Sequence, residues 1–152
     1  MRKLLILLLI INLTAALNLN AQILNPIHWK FNVNKISQEE FELIFTAKIE
    51  NGWHLYSQKL PSGGPIPTKF SFVFPNGIAF TGRVESKSQP KTELDPNFKI
   101  ELSYYTDEVI FIQKIKKKKA GKAKVTGQVE YMTCDNHRCL PPTEQEFEFA
   151  VE

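Results

Sequence analysis

Helical periodicity is missing from this sequence. No window sustains a 3.6-residue apolar repeat, so helix is confined to at most one short turn. Internal repeats are absent, and nothing marks a second domain. Cysteine is scarce: among 152 residues only Cys134 and Cys139 carry thiols. An excess of one charge is lacking too, once the amino terminus is set aside. Without Arg2 and Lys3 the 19 basic residues become 17 against 16 acidic ones, a net charge of +1. That balance speaks against a nucleic-acid partner, and the one lysine-rich run does not reverse it. "KIKKKKAGKAK", Lys114 to Lys124, has no interleaved aromatics. It reads as a solvated turn between two strands, protecting an edge.

A long apolar run occurs at the start. Arg2 and Lys3 precede "LLILLLIINLTAAL", and polar residues then lead to "NLNAQ". The run falls slightly short of the roughly 20 residues needed to cross a bilayer. A basic start, an apolar middle and a polar exit read as a secretory signal peptide, residues 1–21, cleaved near Ala21. The competing reading is an uncleaved anchor. No cysteine stands at the cut, which excludes a lipid-modified cysteine there. The mature chain, residues 22–152, is one domain's worth and long enough for a core without staples. A monomer is expected.

What the chain does have is alternation. "FELIFTAKIE" places Phe41, Leu43, Phe45, Ala47 and Ile49 on one face, and "KFSFVF" does so with Phe70, Phe72 and Phe74. "VTGQVEY" alternates Val125, Gly127, Val129 and Tyr131, and "EFEFAVE" alternates Phe147, Phe149 and Val151. "IHWKFNV" and "EVIFIQKI" supply further strands. Separated by "ENG", "PSGGP", "PNG" and "AGK", these runs indicate an all-β antiparallel sandwich. "ESKSQPKTELDPNFKIE" stands outside the pattern as a long polar connection with Leu94 and Phe98 as its main apolar side chains. Phe98 either covers something, as lid loops do, or begins the next strand and points into the core.

The two cysteines sit in "YMTCDNHRCLPP" with four residues between them. In an exported protein the default is a Cys134–Cys139 disulfide. Closing so short a loop contributes only about 2 kcal/mol in the chain-entropy model, little for a sandwich rich in aromatics. A redox couple is a second reading. His137 and Arg138 lie between the sulfurs, where cations favour a thiolate, while Asp135 opposes them. Pro141 and Pro142 stiffen the exit. Metal is the third: Cys134, His137 and Cys139 offer ligands for zinc or copper(I), with His54 or His28 to complete a site. Against it stand a spacing unlike a zinc finger's and the lack of a second Cys/His cluster.

"VEYMTCDNHRCLPPTEQEFEF" resembles the end of the periplasmic amino-terminal domain of DsbD, the transmembrane thiol–disulfide interchange protein. "ENGWHLYSQ" is similar to that family's glycine–aromatic block, and "DPNFKIELSYYTDEVIFI" to its cap loop and following strand. The resemblance spans the mature chain. It implies an immunoglobulin-like sandwich with a long cap loop, and thiol–disulfide exchange in the periplasm without a cofactor or bound metal. Electrons would come from a thioredoxin-like or membrane donor protein and pass to oxidised periplasmic proteins, a protein-disulfide reductase relay. Cys139 would be the nucleophile, Cys134 the resolving cysteine and Phe98 the cap over the sulfurs. His54 and Tyr56 would border the cysteines, with Leu55 facing the other way, and Asp135, His137 and Arg138 would tune the loop. His54 departs from the family, which has a tyrosine there, and the cysteine loop is one residue shorter than in better-known members. The reading that competes with exchange is a protein-binding module whose disulfide is inert.

Overall fold

The computed structural model describes residues 24–152 apart from Phe74 and Ala120. The signal-peptide reading of residues 1–21 and the Phe74 position of the strand pattern lie outside the described residues. Among those described there are eleven strands and no helix. Three antiparallel sheets result. The first runs β1 (Ile27–Lys35), β2 (Glu40–Ile49), β8 (Glu108–Lys117) and β5 (Ile78–Ser86). The second runs β11 (Thr143–Val151), β9 (Ala123–Tyr131) and β4 (Lys69–Val73). The third is small: β10 (Thr133–Cys134), β3 (His54–Tyr56), β7 (Glu101–Tyr105) and β6 (Lys91–Leu94).

The first two sheets face each other and form the immunoglobulin-like sandwich. Phe41, Leu43, Phe45, Ala47 and Ile49 all point inward, as the alternation of β2 requires. The Phe45 ring joins the two sheets, with centroids 4.7 Å from Phe70, 4.9 Å from Phe147 and 5.0 Å from Phe149. Each such ring taken from water contributes roughly 1.5–3 kcal/mol. Gly127 holds the place of an inward side chain on β9. A Cβ there would collide with the Ser71 carbonyl oxygen and lie 2.6 Å from Phe147 Cζ. Only glycine lets the β4 backbone and the Phe147 ring, its cross-strand neighbour, close in together.

Two expectations need correction. The lysine run is indeed a turn, from β8 into β9, but both are interior strands of their sheets, so it protects no edge. Its side chains are partly engaged: Lys117 Nζ donates 2.8 Å to the Gly121 carbonyl and stands over the Phe41 ring, while Lys122 and Lys124 pair with Glu152 and Glu148. The polar stretch after Val84 is likewise not one loop. It ends β5, forms β6 and turns at residues 95–100 into β7. Because β6 is an edge strand with both faces exposed, Leu94 included, it carries no alternation to read.

β5 also lacked a clean signal, for a local reason. Thr81 pairs with Lys114 and Glu85 with Ile112, so four residues of β5 span two of β8. Gly82 takes up the bulge with φ +69°. The side chain of Gln113, buried between them, donates 3.1 Å to the Thr81 carbonyl that the bulge frees.

The third sheet sits at the end of the sandwich where β2 and β9 finish and β8 begins. β3 follows β2 through the turn at Asn51–Gly52, β10 continues β9, and β7 leads into β8. Side-chain parity then sorts residues between two cores. Leu55 and Tyr105 face the main core, whereas Tyr56, Leu102 and Cys134 form a second buried cluster.

Candidate functional site

Cys134 and Cys139 are joined in a disulfide, with their Cα atoms 4.0 Å apart across an isolated antiparallel bridge. The two sulfurs belong to unlike surroundings. Cys134, on β10, is 0% exposed, while Cys139, in the loop, is only partly buried. The loop between them is shaped by Asp135. Its Oδ1 accepts the backbone N–H of His137 at 2.7 Å and of Arg138 at 2.8 Å. Those donors, His137 first, hold the carboxyl below its ordinary 3.8. The Arg138 guanidinium lies 3.4 Å from Asp135 Oδ2 and over the Trp53 ring. It therefore answers Asp135 rather than standing as a free cation beside the sulfurs. His137 is exposed.

The wall opposite the sulfurs comes from β3. Cys134 pairs in register with His54, and Thr133 with Leu55. Thr133 Oγ1 donates 2.7 Å to the His54 carbonyl, and Thr68 Oγ1 donates 2.6 Å to that of Tyr56. These bonds fix a strand of only three residues from both sides. His54 and Tyr56 are buried with their rings 5.0 Å apart, and Leu55 faces the other way, as expected. Tyr104 lies 4.6 Å from the His54 ring, and its hydroxyl donates to Glu93 at 2.6 Å. That bond, more than burial, pushes the Tyr104 phenol up to about 12.

Phe98 sits in the turn between β6 and β7, half-buried, and packs on the cluster of Tyr56, Leu102 and Cys134. Its ring meets Tyr56 edge-on at 6.0 Å. Phe98 thus neither starts β7 nor enters the main core. What fastens this turn was not anticipated. Asp95 is 1% exposed. Its Oδ1 accepts the N–H of Asn97 at 2.8 Å and of Phe98 at 3.0 Å, and its Oδ2 accepts the Tyr56 hydroxyl at 2.6 Å. Asn97 Nδ2 reaches the Asp135 carbonyl at 2.9 Å, tying the turn to the cysteine loop. Asp followed by two backbone donors is a local turn signature, so "DPNF" held the signal for the first half of this arrangement. Its partnership with Tyr56, 39 residues away, had none.

Burial and the Asp95 bond both raise the Tyr56 phenol well above its usual range. His54 moves downward from 6.5 because burial outweighs the attraction of Asp95 and Asp135. Its Nε2 is buried without a hydrogen-bond partner, 3.6 Å from Asp95 Oδ2. Trp53, His54, Tyr104 and Asn136 line an open cavity of about 320 Å³ beside the cysteine loop. His28 belongs to another arrangement: its Nε2 is 2.9 Å from Glu50 Oε1 at the surface. Among the described residues no three His, Cys, Asp or Glu side chains gather as metal ligands would.

The family model described as "Thiol:disulfide interchange protein DsbD, N-terminal" matches residues 20–151. Among solved structures, the reduced DsbD amino-terminal domain of Neisseria meningitidis is similar, with a TM-score of 0.52 at 16% identity, covering 85% of this chain and 90% of that one. The same Neisseria domain in complex with the PilB amino-terminal domain gives 0.51 at 16%, covering 88% and 91%. The amino-terminal periplasmic domain of ScsB from Proteus mirabilis gives 0.59 at 14%, covering 88% of this chain and 49% of that one. At such identities the structures speak for the fold. No curated protein matches the sequence.

Proposed function

The chain belongs to the family of DsbD amino-terminal domains, a thiol–disulfide exchange family, and from that premise we propose that it relays electrons between periplasmic proteins through Cys134 and Cys139. The working unit in this reading is Gln22–Glu152, freed of a signal peptide near Ala21. The periplasmic ScsB relative supports that location. The observation that carries the proposal is the unequal burial of the two sulfurs beneath a turn fastened to β3 through Asp95 and to the cysteine loop through Asn97.

In the reduced protein the Cys139 thiolate, the more accessible sulfur, attacks one sulfur of a partner disulfide. A Cys139–partner bond forms and the other partner sulfur leaves as a thiolate, then takes a proton. Cys134, deprotonated, attacks Cys139 Sγ; the internal disulfide closes and the second partner sulfur is released and protonated. Two electrons and two protons have passed to the partner. A thioredoxin-like or membrane donor restores the dithiol by the reverse steps. Phe98 and the Asp95 turn close the site between encounters, so access rather than chemistry is what the cap controls. No helix is present among the described residues to lower a thiol pKa through its dipole. Reactivity then depends on the loop and on docking by a partner. The complex of the Neisseria domain with a PilB domain supports a protein as that partner.

Trapping tests this reading. Cys134→Ser leaves Cys139 able to attack but unable to be released, so a mixed disulfide with an oxidised thioredoxin-like protein should accumulate. Cys139→Ser should form none. If the double serine variant kept full function in the cell of origin, the disulfide would be structural and the binding-module reading would replace the relay.

A further inference from the structure

Exchange asks something of Cys134 that its position makes difficult. As a thiol it must lose a proton before it can attack Cys139, and it must regain one when the donor reduces the pair. Yet Cys134 is 0% exposed and does not line the cavity beside the loop. With the cap closed and the disulfide formed, the protein covers it fully. A titratable group next to it is placed to carry the proton.

We infer that the His54 imidazole is the proton carrier for Cys134, an assignment that rests on the exchange reading above. The ladder between β3 and β10 pairs His54 directly with Cys134. Directly opposed residues have Cβ atoms roughly 5 Å apart on the same face of the sheet. His54 is 6% exposed, and its Nε2 is a buried polar atom without a hydrogen-bond partner. Its nearest partner, Asp95 Oδ2, stands at 3.6 Å, long for a hydrogen bond but within ion-pair range, so the atom is best matched when the ring carries a second proton.

The surroundings are arranged for an imidazolium that comes and goes. Asp95 presents Oδ2 from the cap turn at 3.6 Å, and Asp135 acts on the ring from the cysteine loop. Both attract a proton to His54. Burial opposes them and prevails, so the resting ring is neutral and free to accept. Tyr104 faces it from β7 with its hydroxyl committed to Glu93, and Tyr56 from β3 with its hydroxyl committed to Asp95. Neither phenol competes for the proton. His54 also lines the open cavity, together with Lys91, Glu50 and Asp107. The proton therefore has a path from Cys134 through the ring to solvent.

The step balances. His54 takes the Cys134 proton; the thiolate forms a bond to Cys139 Sγ; the Cys139–partner bond breaks, and the partner sulfur leaves with the electron pair. The imidazolium then returns its proton to water through the cavity. Asp95 acts on Cys134 only through the ring, as a positioning residue.

Stopped-flow reaction of the fully reduced protein with 5,5′-dithiobis(2-nitrobenzoate) separates the two attacks. The first thionitrobenzoate reports Cys139, and the second reports Cys134 closing the disulfide. In His54→Gln the second release should slow about a hundredfold relative to the first at neutral pH, the lower end of what a positioned proton carrier contributes. The wild-type second phase should show an inflection below pH 6.5, and the variant should lose it. His54→Tyr, which keeps a ring against Tyr104, should slow the second phase likewise if His54→Gln does not fold. A second phase unchanged in rate and pH profile in either folded variant overturns the assignment of His54 and leaves the exchange reading intact. A wild-type protein that never releases the second equivalent defeats the exchange reading itself.

Discussion

The Tyr56 hydroxyl donates a 2.6 Å hydrogen bond to Asp95 Oδ2, joining β3 to the turn that carries Phe98. Asp95 spends its other oxygen on the backbone of that same turn. One buried carboxylate thus sets the shape of the cap and holds it against the wall of the site. The cap has a specific fastening, and a change of one atom removes it.

Tyr56→Phe leaves the ring in place and deprives Asp95 of its shortest partner. A buried acceptor left short of one bond costs about 1–3 kcal/mol, so the denaturation midpoint should fall. The cap should also open more often. Reduced Cys139 should then react faster with iodoacetamide than in the parent protein, and equal alkylation rates would show that this bond does not hold the cap.

Phe98→Ala removes the cover and spares the fastening. Phe98 is only half-buried, so the loss of stability should be about 1–2 kcal/mol, below the range for fully buried phenylalanine. Alkylation of Cys139 should accelerate by more than in Tyr56→Phe, because no ring remains to close. The reduction potential of the pair should stay where it was.

Asp135 combines a geometric role with a charge, and two substitutions separate them. Asparagine keeps an oxygen for the His137 and Arg138 amides; alanine does not. Asp135→Asn should leave exchange of those two amides with deuterium unchanged, while Cys139 alkylates faster at neutral pH because an anion beside the forming thiolate is gone. Asp135→Ala should speed amide exchange as well. Equal amide exchange in both variants would mean that the carboxylate does not shape the loop.

His54 also writes a pH dependence into the fold. Its folded pKa lies below 6.5, so at mildly acidic pH the unfolded chain holds more of this proton than the native one. Stability from this group is complete above 6.5 and is lost as pH falls through the folded value. Urea titrations from pH 7.5 downward should show that decline in the parent protein and a flatter curve in His54→Tyr. A parent curve already flat across that window would contradict the burial of a neutral ring.

The long strands were legible because each buries one face. Phe41 through Ile49 alternate without error, and Phe147, Phe149 and Val151 do the same. The elements that build the site were not legible by pattern. β3 and β10 have three residues and two, too few to establish a period, and every residue in them is buried. β6 has both faces wet. Within the site, the cysteines, Phe98 and the His54–Tyr56 pair stood out by residue type and by family resemblance. Asp95 did not, because a carboxylate in a polar stretch looks solvated until the tertiary fold brings Tyr56 to it.

The reduction potential of the Cys134–Cys139 pair tests the central claim most directly. Purified Gln22–Glu152 would be equilibrated against glutathione and dithiothreitol buffers and the dithiol fraction counted. A relay should lie within the range of thiol–disulfide carriers, roughly −180 to −270 mV. A value well below about −300 mV would mark the bond as structural and contradict the account.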